Sequence, residues 1–242
     1  MSGLAVSVIG TAAAVLTLAA CGSSSTNTAT TQTTSETTAT TAATQAAPAI
    51  HVAGCRSVPA PASREGEQAS KPTEGLDPSH SYTVRLDTNC GPIVIQLAVS
   101  EAPKTTASFA HLVRIGYYND LTFHRVVPGF VIQGGDPNGN GTGGPNWQVV
   151  EPPPAHLLYT KGVVAMAKGG SAPSGTSSSQ FFIVTGSLVN LPPVYALAGR
   201  VIGSERAVEA ISRVPTEAGA EGGEASKPRS PMVIEKATLM VH

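Results

Sequence analysis

From residue 82 onward the sequence strings short β-branched or aromatic runs between Gly, Pro and Ser turns, a pattern that suggests a closed β-barrel or a sandwich. Tyr82-Thr83-Val84-Arg85-Leu86 alternates as a half-buried strand does. Asn89-Cys90-Gly91 then turns the chain into Pro92-Ile93-Val94-Ile95-Gln96-Leu97, the second arm of a hairpin. Further runs at 121–127, 130–133, 162–167 and 181–185, and a closing run at 232–241, supply the other strands. Two helices interrupt them. Pro103 suits a first helical position, Phe109, Leu112 and Val113 recur at helical spacing, and Gly116 is the stop. A second helix over 205–213 has Ser204 as N-cap and buries Val208 and Ile211. Residues 215–231, polar and Gly-rich, read as an exposed loop.

The N-terminal third is of another kind. Residues 4–20 form an uncharged apolar run that stops at Cys21. Leu18-Ala19-Ala20-Cys21 resembles the bacterial lipobox, which implies a signal peptide over 1–20 and a diacylated Cys21 as the first mature residue. The other reading of this run is an uncleaved membrane helix. Residues 21–50, almost entirely Ser, Thr, Ala and Gln, lack the apolar periodicity that offsets ordering entropy and read as a disordered tether. Residues 51–79, with Pro59, Pro61, Pro72 and Pro78, continue as an irregular arm, and the folded domain covers 80–242. The implied setting is extracytoplasmic, on a bacterial cell membrane, held by the lipid alone.

With Cys21 lipidated, Cys55 and Cys90 remain as an even pair in an exported chain, where a disulfide persists. No CxxC or clustered His accompanies them, so zinc spacing is absent and no metal or organic cofactor is expected. A formal net charge of −1 provides no field to gather nucleic acid, and a monomer is expected.

The densest chemistry lies in Phe123-His124-Arg125, Pro128-Gly129-Phe130, Gln133-Gly134-Gly135-Asp136 and Gly141-Thr142-Gly143-Gly144, followed by Met166-Ala167 and Ser179-Gln180-Phe181-Phe182. Taken together, in this order and spacing, these elements resemble the cyclophilin family from about residue 82 to 241. The resemblance implies a closed, eight-stranded antiparallel β-barrel capped by two helices, and peptidyl-prolyl cis/trans isomerase activity on proline-containing segments of folding proteins. It gives Arg125 the catalytic role with Gln133 and Phe130. Val131, Phe182, Leu191 and Tyr195 would line the proline pocket, Ala167 and the backbone of Lys168 would meet the residue before proline, and Gln180 would join the binding surface. The chain departs from the common family pattern at Val131, Lys168, Asn190, Tyr195 and Ala198, and its 168–178 loop is three residues longer.

Alternation turns Arg125 away from Val126, towards solvent or a surface groove, and sets Phe130 with Ile132 on one face and Val131 with Gln133 on the other. Phe130 and Phe182 also read as plain core aromatics, and Gln180 as a loop cap. His124 is no general base, because rotating an amide transfers no proton. Ser177 to Ser179 lack the GxSxG frame of a hydrolase nucleophile. The competing reading is a non-catalytic module that holds proline-containing segments.

Overall fold

The computed structural model describes residues 52–203, 205–218 and 225–242. The expected signal segment, the tether, lipidated Cys21 and the Ser204 cap lie outside them.

β1 (Tyr82–Thr88) and β2 (Gly91–Leu97) form the hairpin, in register from Thr83 opposite Gln96 to Thr88 opposite Gly91. After α1 (Pro103–Arg114) come β3 (Leu121–Thr122), β4 (Arg125–Val127), β5 (Val131–Gly134), β6 (Val149–Val150), β7 (Tyr159–Thr160) and β8 (Val163–Met166). Then follow β9 (Thr176–Ser177), β10 (Phe181–Val184), β11 (Leu188–Val189), β12 (Leu197–Val201), α2 (Glu205–Ser212), β13 (Thr216–Ala218), β14 (Ala225–Pro228) and β15 (Val233–Val241).

Among the described residues, nine strands make one curled antiparallel sheet in the order β3-β15-β1-β2-β12-β8-β10-β5-β4. The expected closed barrel of eight strands is thus an open sheet of nine. Residues 121–127 read as one run, yet the chain leaves strand geometry at Phe123 and His124, splitting the run into β3 and β4. These two are the opposite edges of the sheet. Only two residues separate them, too few to fold one back along the other, and the isolated Thr122–Asp136 bridge is what spans the seam. Residues 215–231 also differ from expectation, because β13 and β14 pair, Thr216 opposite Pro228.

The interior of the curl holds the main core, with Val84, Leu86, Ile93, Ile95, Phe109, Phe181 and Ile183 all at zero exposure. α1 starts on Pro103 as expected and ends in a Schellman turn. Gly116 donates to the Val113 carbonyl and Tyr117 to that of Leu112, with Gly116 at φ +74°. Its N-terminus lacks a local cap, since Ala102 has no side-chain acceptor. The Glu151 carboxylate substitutes, accepting from the Lys104 and Thr105 amides at 3.0 and 2.7 Å.

Residues 52–81 contain no helix or strand but are bound closely to the sheet. Val52 and Leu76 are buried in the main core, and Cys55 is joined to Cys90 by the expected disulfide. Arg64 donates to the Tyr117 carbonyl, stacks over that ring and pairs with Glu67 at 2.9 Å. The Trp147 indole donates to Ala69 O at 2.9 Å.

Candidate active site

The site lies on the outer face of the sheet, where strand register sets one row of side chains. Arg125 of β4 stands opposite Gln133 of β5, Gln133 opposite Phe182 of β10, Phe182 opposite Ala165 of β8, and Ala165 opposite Leu197 of β12. Cross-strand partners project to the same face, so these five share one. The neighbouring row, Val126, Ile132, Ile183 and Val164, faces the interior at zero exposure.

A second apolar cluster covers this outer face. It contains buried Val131 and Phe182 with half-buried Phe130, Ala167, Leu191 and Tyr195, so all the predicted apolar site residues fall in one place. Phe130 is on the Val131 side, not with Ile132 as alternation implied. It precedes β5 in a turn that includes Gly129 at φ +71°, so the pleat does not govern it. The Arg125 guanidinium carbon lies 5.7 Å from the Phe130 ring centroid, within cation–π range. Phe182 and Tyr195 meet edge to face at 5.4 Å and 87°. Tyr159, which sequence reasoning missed, lies beneath both, at 6.1 Å from Phe182 and 6.0 Å from Tyr195. Its hydroxyl donates to Tyr195 O at 3.0 Å, and burial raises the phenol pKa above its ordinary range. Tyr159 ends an apolar run, Leu157-Leu158-Tyr159, which is the signal that marks it as a wall residue.

The polar end of the row is held by amides. Gln133 Nε2 donates to Gln180 Oε1 at 3.1 Å, while Gln180 Nε2 donates to Gly141 O and Gly143 O, both at 2.9 Å. Gln180 therefore orients Gln133 and also holds a loop, as its reading as a loop cap expects. That loop is itself wrapped around Asp136, whose buried carboxylate accepts the amides of Asn138, Asn140, Gly141 and Gly143. Gly135 lets β5 reach this anchor, since a Cβ there would lie 2.5 Å from Ser179 O and its φ is +85°. Lys168 sits at the other margin of the slot, 5.9 Å from the Tyr195 ring centroid. His124 precedes Arg125 just outside β4 and is half-buried. Desolvation lowers its pKa below the ordinary imidazole value, Asp136 opposes that shift and Arg125 adds to it.

A guanidinium beside an aromatic ring, an oriented amide and an aromatic slot suit chemistry in which no bond is made or broken. The family model for "Cyclophilin type peptidyl-prolyl cis-trans isomerase/CLD" matches residues 83–239. Peptidyl-prolyl cis-trans isomerase A of Mycobacterium tuberculosis is 37% identical over 180 residues, covering 67% of this chain and 94% of the relative. A peptidyl-prolyl cis-trans isomerase-like 2 protein of Cryptococcus neoformans is 32% identical over 182 residues, which cover 72% of this chain and 30% of that larger protein. A crystal structure of a Cryptosporidium parvum cyclophilin-type isomerase, determined in the presence of the dipeptide Ala-Pro, superposes with a TM-score of 0.59 at 31% identity, covering 65% of this chain and 98% of that one. The family match spans more than half the sequence, and on this basis the chain belongs to the cyclophilin-type peptidyl-prolyl cis-trans isomerases.

Proposed function

We propose that this enzyme rotates X-Pro bonds in proteins folding outside the cytoplasmic membrane, with Arg125 hydrogen bonding to the prolyl nitrogen and the outer-face aromatics holding the ring. The barrier is about 18–20 kcal/mol, because rotation breaks amide resonance. As the bond twists, the nitrogen becomes a pyramidal amine with a free lone pair. A donor aimed there stabilises the twisted form more than either planar one, which is the condition for raising kcat. Guanidinium suits this task because it stays charged and offers a rigid fork of donors. Gln133, its orientation fixed through Gln180, holds a backbone group of the substrate, and Phe130, Val131, Phe182, Leu191 and Tyr195 form the slot. Ala167 and the Lys168 backbone face the residue before proline. The observation that supports this reading is the single row Arg125–Gln133–Phe182, with the Phe130 ring 5.7 Å from the guanidinium.

Arg125→Ala in the full chain tests it. Loss of one preorganised donor from such a site costs about 10²–10³-fold in rate. A protease-coupled or NMR-exchange assay on a short Pro peptide should lose turnover by that factor while the melting temperature is kept. Turnover within threefold of wild type would remove Arg125 from the mechanism, and no turnover in the wild type would leave a non-catalytic binder. The lipid on Cys21, the tether and the monomeric state belong to the same proposal. Cys21→Ala should release the chain from the membrane fraction without changing kcat/KM.

A further inference from the structure

We infer that Lys168 makes the enzyme selective for peptides with an acidic side chain at one of the two positions before the proline. The inference rests on the proline-slot reading above.

Beside the slot, separated from it by Ala167 and Lys168, is a second cavity of about 420 Å³. Gln133, Gln180, the 141–145 loop and the 176–178 segment line it. Lys168 brings the one formal charge among its lining residues, and none of them is Asp or Glu. Nor does any carboxylate of the described residues come within ion-pair distance of its ammonium. Nζ is held instead by the carbonyls of Ala172 at 2.9 Å, Gly169 at 3.2 Å and Gly170 at 3.5 Å. These neutral acceptors position the cation without cancelling its charge. The Tyr195 ring centroid lies 5.9 Å from it, on the slot side.

The geometry restricts which substrate atoms reach it. A peptide with its proline ring against Phe182 and Tyr195, and its preceding residue over Ala167, has its next side chains beside Lys168 or over the second cavity. A carboxylate there finds a half-buried ammonium with no competing anion, and the four-carbon stem lets Nζ leave its neutral carbonyl acceptors to meet either position. A cation there meets like charge. Small cavity walls, Gly143, Gly144 and Ser178, leave room for a Glu side chain. The loop that follows Lys168 supplies the carbonyls that hold the ammonium.

The test measures kcat/KM of the full chain on Ala-Glu-Pro-Phe against Ala-Gln-Pro-Phe, and on Glu-Ala-Pro-Phe against Gln-Ala-Pro-Phe. Partly exposed ion pairs predict a Glu over Gln preference of about three- to fivefold at one of the two positions. It should fall towards one at 1 M salt, where the screening length is about 3 Å. Lys168→Gln should bring the ratio to one, and Lys168→Arg should keep it, whatever either does to the absolute rate. A wild-type ratio of one at both positions, or a ratio that survives Lys168→Gln, overturns the assignment of Lys168 while leaving the isomerase reading intact. No turnover on any of the four peptides overturns both together.

Discussion

Reducing the Cys55–Cys90 bond should destabilise the whole domain, because the arm it holds is part of the main core. The bond closes a loop with a sequence separation of 35 residues. In the chain-entropy model, release of such a loop returns about 13 cal/mol/K to the unfolded state, or about 3.8 kcal/mol at 25 °C. For a domain of this size 1 kcal/mol shifts the melting temperature by about 2–4 °C, so reduction should lower it by about 8–15 °C. The arm inserts Val52 and Leu76 into the same cluster as Val84, Leu86, Ile93 and Ile95, so one transition should move, not a separate early one. Scanning calorimetry of the full chain with and without a phosphine reductant measures this. Cys55→Ala/Cys90→Ala should melt near the reduced wild type and be insensitive to reductant. Oxidised and reduced melting temperatures within about 2 °C of each other would refute the reasoning, since they would show that closing this loop adds nothing to the stability of the domain.

Two further perturbations follow from named contacts. Glu151→Ala strips the α1 N-terminus of its two-oxygen cap and should cost about 1 kcal/mol, seen as a melting temperature lower by about 2–4 °C, with Glu151→Gln less damaging. Burial holds the His124 imidazole below its ordinary pKa, so the unfolded chain takes its proton first as pH falls. Its stabilising contribution is complete above about pH 6.5 and is lost as pH drops towards the folded pKa. Urea midpoints between pH 7 and pH 5 should therefore fall more steeply in the wild type than in His124→Gln, and equal slopes would contradict the assignment.

The hairpin, the Pro103 helix start and the Gly116 stop were legible because each depends on neighbours in sequence: alternation, a fixed φ, a left-handed turn. The gathering of Arg125, Gln133 and Phe182 was legible only through the cyclophilin motifs, because which strands are neighbours is decided by long-range pairing. Phe130 shows where local pattern misleads. Period-two alternation holds inside a strand, and Phe130 lies one residue before β5 begins. Tyr159 was missed because its strand is two residues long and its importance comes from Phe182 and Tyr195, distant in sequence. The burial of the arm in the main core was hidden for a related reason. Its Pro-rich composition gives no periodicity, while its anchors, Val52, Leu76 and Arg64, are isolated residues whose partners lie in the domain.

On the proposed mechanism, the alternation of Arg125 with Val126 couples catalysis to folding quality. If β4 slipped by one residue against β5, a guanidinium would enter the dry interior and a valine would take the groove. That mispairing is too unfavourable to persist, so a compact but inert population with scrambled edges has no stable place to collect. The active fraction of a preparation should therefore equal its folded fraction, and titrating one should count the other.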